Sequence, residues 1–152
     1  MLIDCIDISH LGGTDTVASL VQWNNGQASK AGYRKFIIKT VEGINDFASI
    51  EEVVTRFGNR VLEGKEKQPD LLVIDGGKGQ LSSATKALKK IGLEIPLIGL
   101  AKRLEEIYIS WAPYPIRLPQ KSPALALLRS LRDEAHRFAI TFQRKKRKVK
   151  IA

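Results

Sequence analysis

The chain has 152 residues, 43% of them hydrophobic and 27% charged, and its 25 Lys and Arg against 16 Asp and Glu give a formal charge of +9. That length suits one domain with a real core, and that charge points to a polyanionic partner, because basic side chains set along a phosphate backbone release its condensed counterions. The single cysteine, Cys5, excludes an internal disulfide and a cysteine-rich zinc site, and no apolar run approaches the ~20 residues of a membrane span, so a cytoplasmic protein is expected.

"LIDCIDIS" alternates and is rich in Ile, which predicts a first strand, followed by the turn-like "HLGGTD". "TVASLVQW" predicts a second strand, "NNGQ" a hairpin turn and "YRKFIIKT" a third strand, together an antiparallel meander. The period then changes. Phe47, Ile50, Val53, Val54 and Phe57 recur at helical spacing with Asp46 in the first turn, where the helix dipole favours an acid, and the helix is expected to end near Gly64. "PDLLVIDGG" is a short continuous apolar run, the pattern of a strand buried on both faces. "QLSSATKALKKIG" predicts a helix stopped by Gly92, and "IPLIGLA" another buried strand.

From Lys102 to Gln120 the pattern fits a small hairpin or a proline-shaped loop around "WAPYP". Ser122 and Pro123 then supply an N-cap and an N1 proline, and Leu125, Leu128, Leu131, Ala135 and Phe138 form the buried stripe of a last helix. A solvated basic tail, "RKKRKVK", is expected to close the chain.

Two acids are out of keeping with their strands: Asp7 lies between Ile6 and Ile8, and Asp75 closes "LLVID". A buried carboxylate needs a partner or a metal. If the two strands are neighbours in one sheet, both acids reach the same edge, the arrangement by which hard oxygen ligands hold Mg²⁺ or Mn²⁺ for phosphoryl chemistry. "DGGKGQ" invites a phosphate-loop reading, but it is not G-x-x-x-x-G-K-[ST], and a tight turn beside Asp75 suits the glycines as well. His136 follows Asp133 by one turn among Arg129, Arg132 and Arg137; an ordinary helix residue and a catalytic group both fit it, and His10 near its turn suits a hydrogen-bonding role.

The blocks "DISH" with "GGTDTVAS", "YRKF", "PDLLVIDGGKGQL", "GLAKRLEEIY" and "RDEAHRFAITF" span nearly the whole chain. In that order they resemble the C-terminal nuclease domain of the UvrC family, which has a ribonuclease H-like fold. The resemblance implies an α/β domain over residues 1–152, taken from a longer protein, with a mixed sheet and helices packed on it. It implies a divalent-metal endonuclease, using Mg²⁺ or Mn²⁺, that cuts damaged double-stranded DNA on the 5′ side of a lesion in nucleotide excision repair. A UvrB-type protein would be its partner, through parts of the longer protein outside this chain. By position, Asp7 and Asp75 match the family's metal-binding aspartates, His136 its catalytic histidine and Asp46, through a looser match, a further acid. His136 would either ligate the metal or orient the attacking water. Lys78, Lys102, Arg103, Arg137, Arg144 and Lys145 are the expected DNA-side cations. Two departures fall on such positions: Gln143 where a histidine is common, and Lys35 where an arginine is usual. The rival readings are a catalytically silent DNA-binding or assembly module and a nucleotide-binding domain built on "GGKGQ".

Overall fold

The Ile-rich opening forms β1 (Leu2–Leu11), which pairs antiparallel with β2 (Asp15–Asn24). The computed structural model describes residues 1–11, 15–102 and 106–151, apart from the side chains of residues 11 and 142–151. At the hairpin after β2, Asn25 (φ 51°) and Gly26 (φ 83°) both take the left-handed conformation that a two-residue turn needs to match strand twist. The third strand is broken. β3 (Gln27–Ala28) and β4 (Arg34–Ile37) both pair with β2 and are separated by a 3-10 turn at Lys30–Gly32. Only Arg34–Ile37 of "YRKFIIKT" is strand: Ile38 N still donates to Thr16 O at 2.9 Å, but the donors after it turn to a side chain, Glu52 accepting from Lys39 N at 2.9 Å and from Thr40 N at 2.7 Å.

Helix α1 (Asp46–Leu62) is capped by Asn45, whose Oδ1 accepts from Ala48 N at 3.1 Å. β5 (Leu71–Asp75) leads into α2 (Lys78–Ile91), which ends on the left-handed Gly92. β6 (Leu97–Leu100) pairs parallel with β5, and β7 (Ile107–Tyr108) pairs antiparallel with β6. Ile107 also bridges Ile116, which makes the segment around "WAPYP" a hairpin. The last helix, α3 (Pro123–Ile151), keeps a helical backbone through the basic run at 144–150, where a separate tail was expected. Nothing after Pro123 stops it: the segment contains no Gly or further Pro, and Lys and Arg are good helix formers.

The sheet order is β3-β2-β1-β5-β6-β7, with β4 on β2, and the helices cover both faces. Ile6, Leu20, Leu72 and Ile74 pack with Ile50, Val53 and Phe57 of α1 and Leu88 of α2. On the opposite face Cys5, Val21, Val73 and Leu100 pack with Leu128, Leu131 and Ala135 of α3. Phe47, expected in the buried stripe of α1, is 54% exposed. Its ring lies over the first turn of α2, where a Cβ on Gly79 would come within 2.6 Å of it. No helix among the described residues is long and apolar enough to cross a membrane.

Asp4 is fully buried on the α1–α2 face, its Oδ1 accepting from Gln22 Nε2 at 3.1 Å and its Oδ2 without a partner among the described residues. Burial pushes its carboxyl up to about 7, against the pull of the Gln22 hydrogen bond. The folded state thus keeps a proton on Asp4 that the unfolded chain releases near 3.8, so this contribution to stability is full below that value and is lost as pH rises to about 7. Asp4→Asn keeps an acceptor for Gln22 and removes the charge. It is expected to stabilise the protein by on the order of 1–3 kcal/mol at pH 8 and by little at about pH 4, near the unfolded value, read from thermal unfolding at the two pH values. A difference that does not grow with pH would mean that Asp4 is not held protonated.

Candidate active site

Strand alternation alone sends Asp7 to the face opposite Ile6 and Ile8, and Asp75 to the face opposite Ile74. Register then brings the two together. β1 and β5 run parallel with Ile6 beside Ile74, so the next positions along the pair are Asp7 and Asp75. On the other side Asp7 pairs with Ser19, and Ser19 with Lys35, while Asp75 pairs with Leu100. One row therefore crosses the sheet beneath α3: Lys35, Ser19, Asp7, Asp75, Leu100.

Asp7 is 5% exposed, and its Oδ2 and both Asp75 carboxylate oxygens are buried without a hydrogen-bond partner among the described residues. Burial first, and then the negative charge of Asp75, hold the Asp7 carboxyl well above the ordinary carboxylate range, with Lys102 pulling the other way. His136 approaches from α3, its Nδ1 3.8 Å from Asp7 Oδ2, and its side chain is 57% exposed toward solvent. Arg132 lies one turn earlier on the same helix, 17% exposed, and its charge acts on the buried Cys5 thiol against a strong upward push from burial. The structure thus gathers Asp7, Asp75 and His136.

Asp46 stands elsewhere. It begins α1 on the other face of the sheet, where its Oδ1 is 2.8 Å from His10 Nε2, while His10 Nδ1 is 3.0 Å from Thr16 Oγ1. His10 has the hydrogen-bonding role expected near its turn, and Asp46 reaches the acid pair only through its charge, which adds to the upward push on Asp7. Of the expected cations, Lys78 and Lys102 are exposed. Arg137 is tied to Glu134, at 2.5 Å from Nε and 2.9 Å from Nη2, and Glu134 also accepts from the Tyr33 hydroxyl at 2.7 Å. Arg103 and the side chains of Gln143, Arg144 and Lys145 lie outside the described residues.

One member of the row had no signal of its own. Ser19 is a small polar residue in an alternating strand, its Oγ buried without a partner among the described residues, and only the register shows that it sits beside Asp7. Lys35 lies over the Phe138 ring, 4.5 Å from its centroid, which ties β4 to α3. The glycines of "DGGKGQ" have structural uses as well. Gln80 Oε1 accepts from Gly77 N at 3.2 Å, and Gly79 leaves room for Phe47.

Among the described residues no three His, Cys, Asp or Glu side chains are already gathered into a metal cage. The pair with its three unpartnered oxygens still fits a hard cation: Mg²⁺ is commonly held by one or two carboxylates, with water and phosphate oxygens completing its shell.

A family model described as the UvrC RNAse H endonuclease domain matches residues 1–140. The chain belongs to that family. It is 58% identical over 144 residues to the UvrABC system protein C of Gemmatimonas aurantiaca, covering 94% of this chain and 23% of that protein. It is 52% identical over 143 residues to the UvrABC system protein C of Methanosarcina acetivorans, covering 94% and 28%. The chain thus spans about a quarter of the length of these relatives. Among solved structures, the catalytic domain of human endonuclease V superposes with a TM-score of 0.50 at 18% identity, over 67% of this chain and 45% of that one. Endonuclease V of Ciona intestinalis, in complex with inosine-containing DNA, gives 0.50 at 15% identity over 68% and 46%. The fold is ribonuclease H-like, as the family resemblance implied.

Two facing buried carboxylates oppose each other in the metal-free protein. Asp7→Asn removes one charge at nearly constant shape, so with chelator present at pH 8 it is expected to raise stability by about 1 kcal/mol or more. Thermal unfolding checks this. A less stable variant would mean that Asp7 is held by a favourable partner rather than strained against Asp75.

Proposed function

We propose that this chain is the catalytic domain of a divalent-metal-dependent DNA endonuclease. Within a full-length UvrC-type protein it would make the 5′ incision beside a lesion in damaged double-stranded DNA, in the cytoplasm and with a UvrB-type partner bound through other parts. The observation that carries this reading is the side-by-side placement of Asp7 and Asp75, with three buried carboxylate oxygens that no described residue satisfies. Membership of the endonuclease-domain family supports it.

Asp7 and Asp75 would hold Mg²⁺ or Mn²⁺, which supplies a Lewis acid for the phosphate and a more acidic bound water. The protein's own groups act around that pair. The row beneath α3 fixes both carboxylates on neighbouring strands, so their spacing is set by the sheet rather than by a loop. His136 stands at the open side of the pair, where an imidazole nitrogen can take the proton of the attacking water. Lys102, whose charge already acts on Asp7, and Lys78 at the head of α2 lie where a scissile phosphate needs cations. Asp46 shapes the charge of the site from the other face and keeps His10 in place.

Asp7→Asn, Asp75→Asn and His136→Ala are each expected to lower the incision rate by more than about 100-fold, beyond the roughly 10–100-fold cost of removing a residue that only supports a metal ligand. The assay places the domain in the full-length protein with its partners and a lesion-bearing duplex. Incision at the wild-type rate by either aspartate variant would overturn the metal assignment, and a fully active His136→Ala would return that histidine to an ordinary helix position.

A further inference from the structure

The largest exposed aromatic surfaces lie together, away from α3. Trp111 is 79% exposed and Tyr114 78%, both within the hairpin that follows β7. Ile107 N donates to Ile116 O at 2.9 Å and Ile116 N to Ile107 O at 2.8 Å, so the base of this hairpin is fixed and its tip is presented outward. Keeping two large aromatic rings in water forgoes the burial that such residues usually gain, which asks for an occupant.

The surface beside the hairpin is basic. A groove of about 440 Å³ runs between α2 and the start of the hairpin, lined by Lys78, Lys86, Lys89, Lys90, Ile109 and Ser110. A second groove of about 580 Å³ shares Lys89, Ile109 and Ser110 with it and ends on Trp111. Lys90 is turned to Glu51, with Nζ 3.1 Å from Oε1, whereas Lys78 and Lys89 make no ion pair among the described residues. Lys78 is also the first residue of α2, three positions beyond Asp75, so the groove opens at the carboxylate edge of the sheet.

We infer that this α2–β7 groove holds a single-stranded stretch of nucleic acid running away from the Asp7–Asp75 edge, with Lys78, Lys86 and Lys89 on its phosphates and Trp111 stacked on an unpaired base. A row of cations with an exposed aromatic at its end is the composition of a single-strand platform: charge follows the backbone, and stacking accepts any base that is not already stacked in a duplex. At 1.5 Å per residue α2 is roughly 20 Å long, room for a short run of nucleotides in an extended strand. The inference deepens the nuclease reading, on which it rests, by naming the state of the strand beside the cut.

The test uses tryptophan fluorescence of this chain, titrated with oligo(dT) and with a duplex of the same length. The partly buried Trp23 remains in every variant as a check on folding. Oligo(dT) is expected to quench the wild-type signal saturably. Trp111→Ala is expected to lose that quenching and to bind oligo(dT) about tenfold more weakly, by polarisation of a labelled strand, with duplex affinity unchanged. Lys86→Gln with Lys89→Gln is expected to lower the salt dependence of oligo(dT) binding by about 0.7 for each phosphate that a lysine no longer neutralises. Unchanged oligo(dT) affinity in Trp111→Ala, or equal weakening toward single strand and duplex, would overturn the inference. Asp7→Asn separates it from the reading beneath it: that variant is expected to lose incision and keep the oligo(dT) quenching, so failure of one leaves the other standing or falling on its own result.

Discussion

The burial of the Asp7 carboxyl beside Asp75 is the constraint on which the rest of this structure depends. Parallel pairing of β1 with β5 puts two carboxylates side by side beneath α3, and no described residue satisfies three of their oxygens. Such an arrangement is costly on its own. The remaining features read as ways of holding it: a hydrophobic layer on each face, a row of small or apolar neighbours in Ser19 and Leu100, and Lys102 opposing the excess negative charge. Sites that store unfavourable charge are where a fold departs from its own stability rules in favour of chemistry.

Much of this was legible in the sequence because strand alternation is a strong signal. Asp7 between two isoleucines and Asp75 at the end of an apolar run could be seen as misfits, and they would meet if their strands were neighbours, as the pairing of β1 with β5 makes them. What the sequence could not supply was register. Ser19 has the look of any surface serine in an alternating strand until pairing places it beside Asp7. The misreadings have similar causes. Phe47 has helical spacing, but it sits in the first turn of α1, where the ring meets Gly79 rather than the sheet. "YRKFIIKT" has strand composition throughout, yet Glu52, on an element far along the chain, captures the backbone donors of Lys39 and Thr40. His136 was undecidable from composition, since a histidine on a polar helix face looks the same with or without a carboxylate 3.8 Å away.

The two faces of the molecule divide the work. The α3 face carries the acid pair and the histidine, and its cations are spent in part on internal ties such as Arg137 to Glu134 and Lys35 over Phe138. The α2 edge carries Lys78 and Lys89 without ion-pair partners among the described residues, next to aromatic rings left in solvent. A net charge of +9 is therefore not a uniform coat: part of it braces the fold, and part lies open beside the carboxylate edge, where a polyanion would approach.

The central claim is that the buried aspartates face each other in order to hold a divalent cation. A crystal of this chain soaked in Mn²⁺ and measured at the manganese absorption edge tests it most directly. The account expects an anomalous peak between the Asp7 and Asp75 carboxylates, within coordinating distance of both. A peak only at the His10–Asp46 pair, or carboxylates that stay without density between them at millimolar Mn²⁺, would contradict it.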